Sequence, residues 1–97
     1  MYSITVHINE NGKGFFALDI SNGRVGVIKV SMNGGELTLL ETIITGKRYI
    51  HSVATRLLYE IVEYARMHEL KIITVSKFVQ KQFSSDPLKY VDVWEKE

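Results

Sequence analysis

From Thr42 to Tyr59 the chain carries Lys47, Arg48, His51 and Arg56 and no acidic residue. Just behind Lys47 and Arg48 the apolar residues take on helical spacing, so these cations stand at the start of a helix. Helix starts usually gather Asp or Glu, because their first N–H groups lack partners and the macrodipole makes that end positive. The reversed sign here fits a bound anion, such as a phosphate held by backbone N–H groups with Lys47, Arg48 and His51 around it. The alternative is a solvated basic loop in which Ser52 serves as the N-cap.

Glu41 is the second residue with chemical potential. Strict strand alternation puts it on one face with Leu37, Leu39 and Ile43, among apolar neighbours that would raise its pKa. A carboxylate in that state takes a proton from an amine at neutral pH, the task of a general base. The alternative leaves Glu41 in water at a partly covered strand end, paired with Lys47 or Arg48. His7 on a polar strand face and His68 in a last helical turn read as structural or exposed. The three histidines are not spaced as a metal set, and no metal is expected. Ser76 follows a short strand without an adjacent His or Asp to activate it as a nucleophile.

These residues need a scaffold, and the pattern of the chain supplies one. Tyr2, Ile4, Val6 and Ile8 alternate with Ser3, Thr5, His7 and Asn9, which predicts a first strand at the edge of a sheet. Asn11-Gly12-Lys13-Gly14, Asn22-Gly23 and Asn33-Gly34-Gly35 are turn signals. They separate strands over Phe15 to Ile20, Val25 to Met32 and Leu37 to Ile44, and so predict an antiparallel meander of four strands. The period then changes. Val53, Ala54, Leu57, Leu58, Ile61, Val62 and Ala65 form one face of a helix from about Ser52 to His68, with Arg56, Glu60, Glu63 and Arg66 on the other. A buried strand over Lys71 to Val75 follows, as a crossover beside the fourth strand. A short helix over Lys77 to Phe83 is stopped by Ser84-Ser85-Asp86-Pro87, and Tyr90 and Trp94 pin the last segment to the sheet. The fold class is α/β with a mixed, mainly antiparallel sheet, in a single domain over 1–97.

Composition narrows the function. The 97 residues are 45% hydrophobic with a formal net charge of +1, enough apolar material for a packed core and too little basic excess for a protein that neutralises many phosphates. Nucleic acid is therefore not an expected partner. Cysteine is absent, which removes disulfides, thiolate metal sites and a cysteine nucleophile, and makes a reducing cytoplasm the simplest location. No stretch approaches the roughly 18 apolar residues of a membrane span, so no membrane partner is expected.

The order of these features resembles the small single-domain branch of the GNAT superfamily of N-acetyltransferases, the YjdJ-type proteins. The resemblance runs from about Phe15 to Trp94. It is best where the helix ends in Glu63-Tyr64-Ala65-Arg66 and is followed by Leu70-Lys71-Ile72-Ile73 and Val75-Ser76-Lys77-Phe78-Val79. It implies acetyl-CoA as cofactor, lying between splayed fourth and fifth strands with its pyrophosphate on the loop before the long helix. Ile43, Lys47, Arg48, Tyr49, Ile50, His51, Ser52, Val53 and Ser76 would then line the cofactor site. Glu41 stands where the family carries a histidine and Ser76 where it carries a cysteine, which makes these two the implied catalytic residues. The acceptor would be an amine on a small molecule or a protein. The loop departs from the family's Arg-Gly-x-Gly-hydrophobic-Ala. Here it reads Tyr49-Ile50-His51-Ser52-Val53-Ala54, and Ile50 and Ser52 put side chains where the family has glycines. Two functions follow, an acetyl-CoA-dependent N-acetyltransferase, or a non-catalytic relative that keeps the fold to bind CoA or a protein partner.

Overall fold

The computed structural model describes residues 2–45 and 50–95, with Ile50 described by its backbone. The alternating first half forms four strands, β1 (Tyr2–Ile8), β2 (Lys13–Ile20), β3 (Gly23–Asn33) and β4 (Glu36–Ile44). They pair antiparallel in chain order. Each turn falls at an Asn- and Gly-containing segment, and the β3–β4 reversal needs only Gly34 and Gly35, with Asn33 opposite Glu36.

The long helix α1 (Ile50–Met67) carries the chain back across the sheet, so β5 (Lys71–Thr74) lies parallel to β4. Leu57, Ile61 and Ala65 are wholly buried, and Val53, Leu58 and Val62 nearly so. They pack on Phe16, Leu18, Ile28, Val30, Leu37, Leu39 and Ile72 from the sheet, in one cluster. Gly26 sets how closely α1 approaches. A Cβ there would sit 2.4 Å from Val53 Cγ1, so the absence of a side chain lets the start of the helix settle on β3. Two shorter helices follow, α2 (Lys77–Ser85) and α3 (Pro87–Tyr90). Val79 and Phe83 of α2 are buried in the same cluster, so the helices share one face of the sheet and, among the described residues, the other face is open. The architecture is thus mixed α/β, with a mainly antiparallel sheet, one long helix and shorter C-terminal helices.

α3 was not foreseen in the sequence. Pro87 there begins a turn of helix at its first position as well as ending α2. The chain then returns to the sheet, where Trp94 bridges Ile72 and Glu95 N–H bonds Ile72 O at 2.9 Å. Arg66 fixes this return. It donates to Asp92 at 2.9 Å, to Lys89 O at 2.6 Å and to Glu63 at 3.3 Å. These bonds hold the Asp92 carboxyl below its ordinary pKa and raise that of Arg66.

Candidate functional site

The fourth strand changes character half-way along. From Glu36 to Leu39 it is paired on both sides, with β3 and, through Glu36–Lys71 to Leu39–Thr74, with β5. Its pairing with β3 then slips. Val30 faces Leu39 and Ile28 faces Thr42, so Leu40 and Glu41 together stand opposite Lys29. This is a β-bulge, which bends its strand and shifts the alternation by one. At the same point β5 ends and turns into α2, so from Leu40 onward β4 has β3 on one side and, among the described residues, no strand on the other, which leaves a gap there. Thr45 N–H bonds Val25 O at 3.0 Å. Counting back in alternation, Ile43 also bonds to β3, and the peptide groups of Thr42 and Ile44 face the gap.

The bulge corrects the expectation for Glu41. Its side chain does not share a face with Leu37 and Leu39. It lies on the open face of the sheet, 61% exposed, with a carboxylate oxygen 3.6 Å from Lys29 Nζ. Ile43 moves with it and is 40% exposed, while Ile44 turns inward against the core. An alternation carried on from Leu37 and Leu39 cannot foresee this. The sequence does hold a trace of it, since Leu39-Leu40 and Ile43-Ile44 are adjacent apolar pairs and no single alternation accommodates both.

The gap is flanked by two helix starts. α1 begins at Ile50, two residues before the expected start, so Ser52 lies inside its first turn and is not the N-cap. That turn has no acidic residue, and the first N–H groups of an α-helix have no partner within it. Lys47, Arg48 and Tyr49 of the expected cofactor loop lie outside the described residues, as does the side chain of Ile50. Val53 is nearly buried against Gly26, at the edge of an apolar cavity that Tyr2, Leu18 and Val25 also line. Arg56 faces away from the gap, pairing with Glu60 at 3.7 Å and lying over the rings of Tyr2 and Tyr59.

On the far side, Ser76 caps α2. Its Oγ accepts from Val79 N–H at 3.4 Å, while its own N–H donates to Thr74 Oγ1 at 3.0 Å. Thr74 is buried, and Gln80 Nε2 donates to its carbonyl at 3.1 Å, so the end of β5 is held by side chains where the ladder stops. The first turns of the two helices meet through His51 and Phe78, whose rings lie edge to face at 6.2 Å. Of the expected site residues, His51 and Ser76 lie at the two helix starts beside the parting of β4 and β5, and Glu41 and Ile43 lie on the open face of β4 just past it. Ser52 does not join them, since it lines an apolar cavity with Tyr2, Leu18, Val25 and Arg56 on the β1 side of α1. Glu41 and Ser76 have separate partners, Lys29 and Val79. Phe78 beside His51 and Lys29 beside Glu41 are neighbours that the sequence pattern did not indicate.

No protein-family model matches the chain, and no curated protein matches it. Among solved structures it is similar to the NMR solution structure of a GCN5-like candidate N-acetyltransferase from Staphylococcus aureus. The two are 24% identical with a TM-score of 0.69, over 96% of this chain and 89% of that one. The likeness spans nearly all of both chains, and the fold is the one they share.

Proposed function

We propose that the chain is an acetyl-CoA-dependent N-acetyltransferase of the small YjdJ-type, acting on an amine. The observation that carries this reading is the parting of β4 from β5 at Leu39–Thr74, at the bulge and between two helix starts. The residues there fit the cofactor in kind. Peptide groups of Thr42 and Ile44 offer hydrogen bonds to an extended, amide-bearing arm. The acid-free first turn of α1, with His51 and the preceding Lys47 and Arg48, offers N–H groups and charge to a pyrophosphate. Acetyl-CoA supplies, when bound, an acetyl group activated as a thioester.

The chain's own residues divide the remaining work. Glu41, exposed beside Lys29 on the open face, accepts a proton from an ammonium arriving on that face, and so leaves the amine with a free lone pair. The N–H groups facing the gap hydrogen-bond a developing oxyanion. Ser76, whose Oγ accepts from Val79, keeps its own proton to donate into the gap. The second reading, a non-catalytic relative, is favoured by the His51–Phe78 contact between the helix starts and by Ile50 and Ser52 at the family's glycine positions.

A thermal-shift titration with acetyl-CoA and CoA tests the cofactor binding that the acetyltransferase reading requires. A ligand at a hundred times its Kd stabilises by about 2.7 kcal/mol, a shift of several degrees for a chain of this size. No shift in the wild type, with one restored by I50G/S52G, would establish the non-catalytic reading. Where turnover is measured, Glu41→Gln is expected to lower kcat by roughly 10²-fold with CoA binding nearly unchanged, and an unchanged rate removes Glu41 from the reaction.

A further inference from the structure

β1 is an edge strand, and among the described residues no strand pairs with its outer side. Soluble proteins ordinarily blunt such an edge with Lys, Pro, a bulge or a covering segment. The opposite edge of this sheet is covered, since Trp94 and Glu95 lie along β5. Among the described residues β1 has none of these devices. Its seven residues, Tyr-Ser-Ile-Thr-Val-His-Ile, hold no Lys, Arg, Asp, Glu, Pro or Gly, and they pair with β2 without a bulge from Tyr2–Ile20 to Ile8–Gly14.

The hydrogen-bond parity of the strand is fixed. Asn9 N–H bonds Lys13 O at 2.8 Å, so in antiparallel alternation His7, Thr5 and Ser3 also spend their peptide groups on β2. Tyr2, Ile4, Val6 and Ile8 therefore direct N–H and C=O outward. The same four side chains point to the helix side, where cover runs out. Tyr2 and Val6 are 43% and 42% exposed. Two mainly apolar cavities lie between β1 and α1, one of about 340 Å³ reached by Tyr2 and one of about 180 Å³ reached by Val6 and Met67.

We propose that β1 is a self-association edge, on which two copies of this chain pair their β1 strands antiparallel about a two-fold axis at Thr5. In that register the residue numbers of facing partners add to ten, so every outward-bonding residue meets another. Tyr2 faces the second copy's Ile8, and Ile4 faces its Val6. Aromatic and β-branched residues are thereby matched on the helix side. On the open face Thr5 meets Thr5, and Ser3 meets His7. Four outward residues per strand then satisfy their donors and acceptors, and the two sheets become one of ten strands. A second copy is the occupant because the strand is complementary to itself in bonding parity, side-chain matching and the absence of charge, the condition for an isologous contact. The contact is one strand deep, small beside stable interfaces, so it depends on protein concentration. It is independent of the acetyltransferase reading, which concerns the far end of β4.

Sedimentation equilibrium of the full chain over a range of concentrations, with amide hydrogen exchange at the two extremes, tests it. The expected result is a rise toward twice the monomer mass. Exchange at Ile4, Val6 and Ile8 should slow as concentration rises, while exchange at Thr5 and His7 stays constant. Val6→Pro removes only an N–H that faces outward, so the β1–β2 ladder is retained. With two hydrogen bonds lost per dimer, its dissociation constant should rise about tenfold or more. Val6→Lys should act in the same direction by placing two like charges close together. A monomer mass at every concentration overturns the proposal. So does a dimer whose Ile4, Val6 and Ile8 amides exchange at the monomer's rate, a readout on the wild type that holds even if a variant misfolds.

Discussion

The two halves of β4 share a composition and differ in almost everything else. Glu36–Leu39 has a strand on each side and buries Leu37 and Leu39 almost completely. Among the described residues Leu40–Ile44 has one neighbouring strand, and it leaves Leu40, Glu41 and Ile43 at the surface. The first half is scaffold, fixed by burial. The second is a surface of backbone groups and side chains, made available because a bulge and the end of β5 coincide. A single strand can thus anchor the fold at one end and offer chemistry at the other, with the change made over two residues.

The sharpest test sets Leu37→Ala against Ile43→Ala in denaturant unfolding. Leu37 is wholly buried between α1 and both neighbouring strands, so truncation is expected to cost about 2 to 5 kcal/mol from lost transfer and a residual cavity. Ile43 lies 40% exposed on the open face and should cost about 1 kcal/mol or less. Similar losses at both positions would mean that alternation continues unbroken through the bulge.

Gly26 joins the second half of β4 to the helix that flanks the gap, since it pairs with Ile44 and receives Val53. Gly26→Ala forces a methyl to 2.4 Å from Val53 Cγ1. Val53 is short and buried, so the helix start has to shift, at a cost of about 1 to 3 kcal/mol. In NMR spectra the largest shift changes are expected at His51 to Leu57 and Thr42 to Ile44, and few at Glu36 to Leu39. A uniform response along β4 would erase the distinction between its halves.

How much was legible follows from the same contrast. The long helix was readable residue by residue, because the apolar face from Val53 to Ala65 is continuous and amphipathic. The meander was readable because Asn and Gly mark each reversal. The crossover to β5 followed from the helix returning to a buried strand. The bulge was not readable from alternation, because it is decided by which neighbour β4 has, and local pattern does not report where β5 stops. Continued alternation puts Glu41 on the face of Leu37 and Leu39, whereas the bulge turns it to the open face beside Lys29. The helix expected from about Ser52 begins two residues earlier, at Ile50. α3 was missed because Asp86-Pro87 serves as both a stop and a start signal.

The smallest expected effect concerns what holds the first half of β4 in place. Its outer neighbour β5 is held by the Trp94 bridge, and the segment leading there is tied to α1 through Arg66 and Asp92. The bond from Arg66 holds the Asp92 carboxyl below its ordinary pKa, against a smaller opposing effect of burial. A carboxyl whose folded pKa is lowered binds fewer protons folded than unfolded. Its contribution is therefore complete above the ordinary carboxylate pKa of about 4 and is lost as pH falls through the lower folded value. Asp92 is 52% exposed, so solvent screening keeps the contribution below about 1 kcal/mol. Acidification should accordingly speed amide exchange first at Ile72 and Glu95, whose N–H groups bridge β5 and the C-terminal segment. Arg66→Ala should produce the same loosening at neutral pH and abolish its further dependence on acid. Exchange at Ile43 and Thr45, whose N–H groups face β3, should not follow. If they loosened together with Ile72, the two halves of β4 would be one cooperative unit.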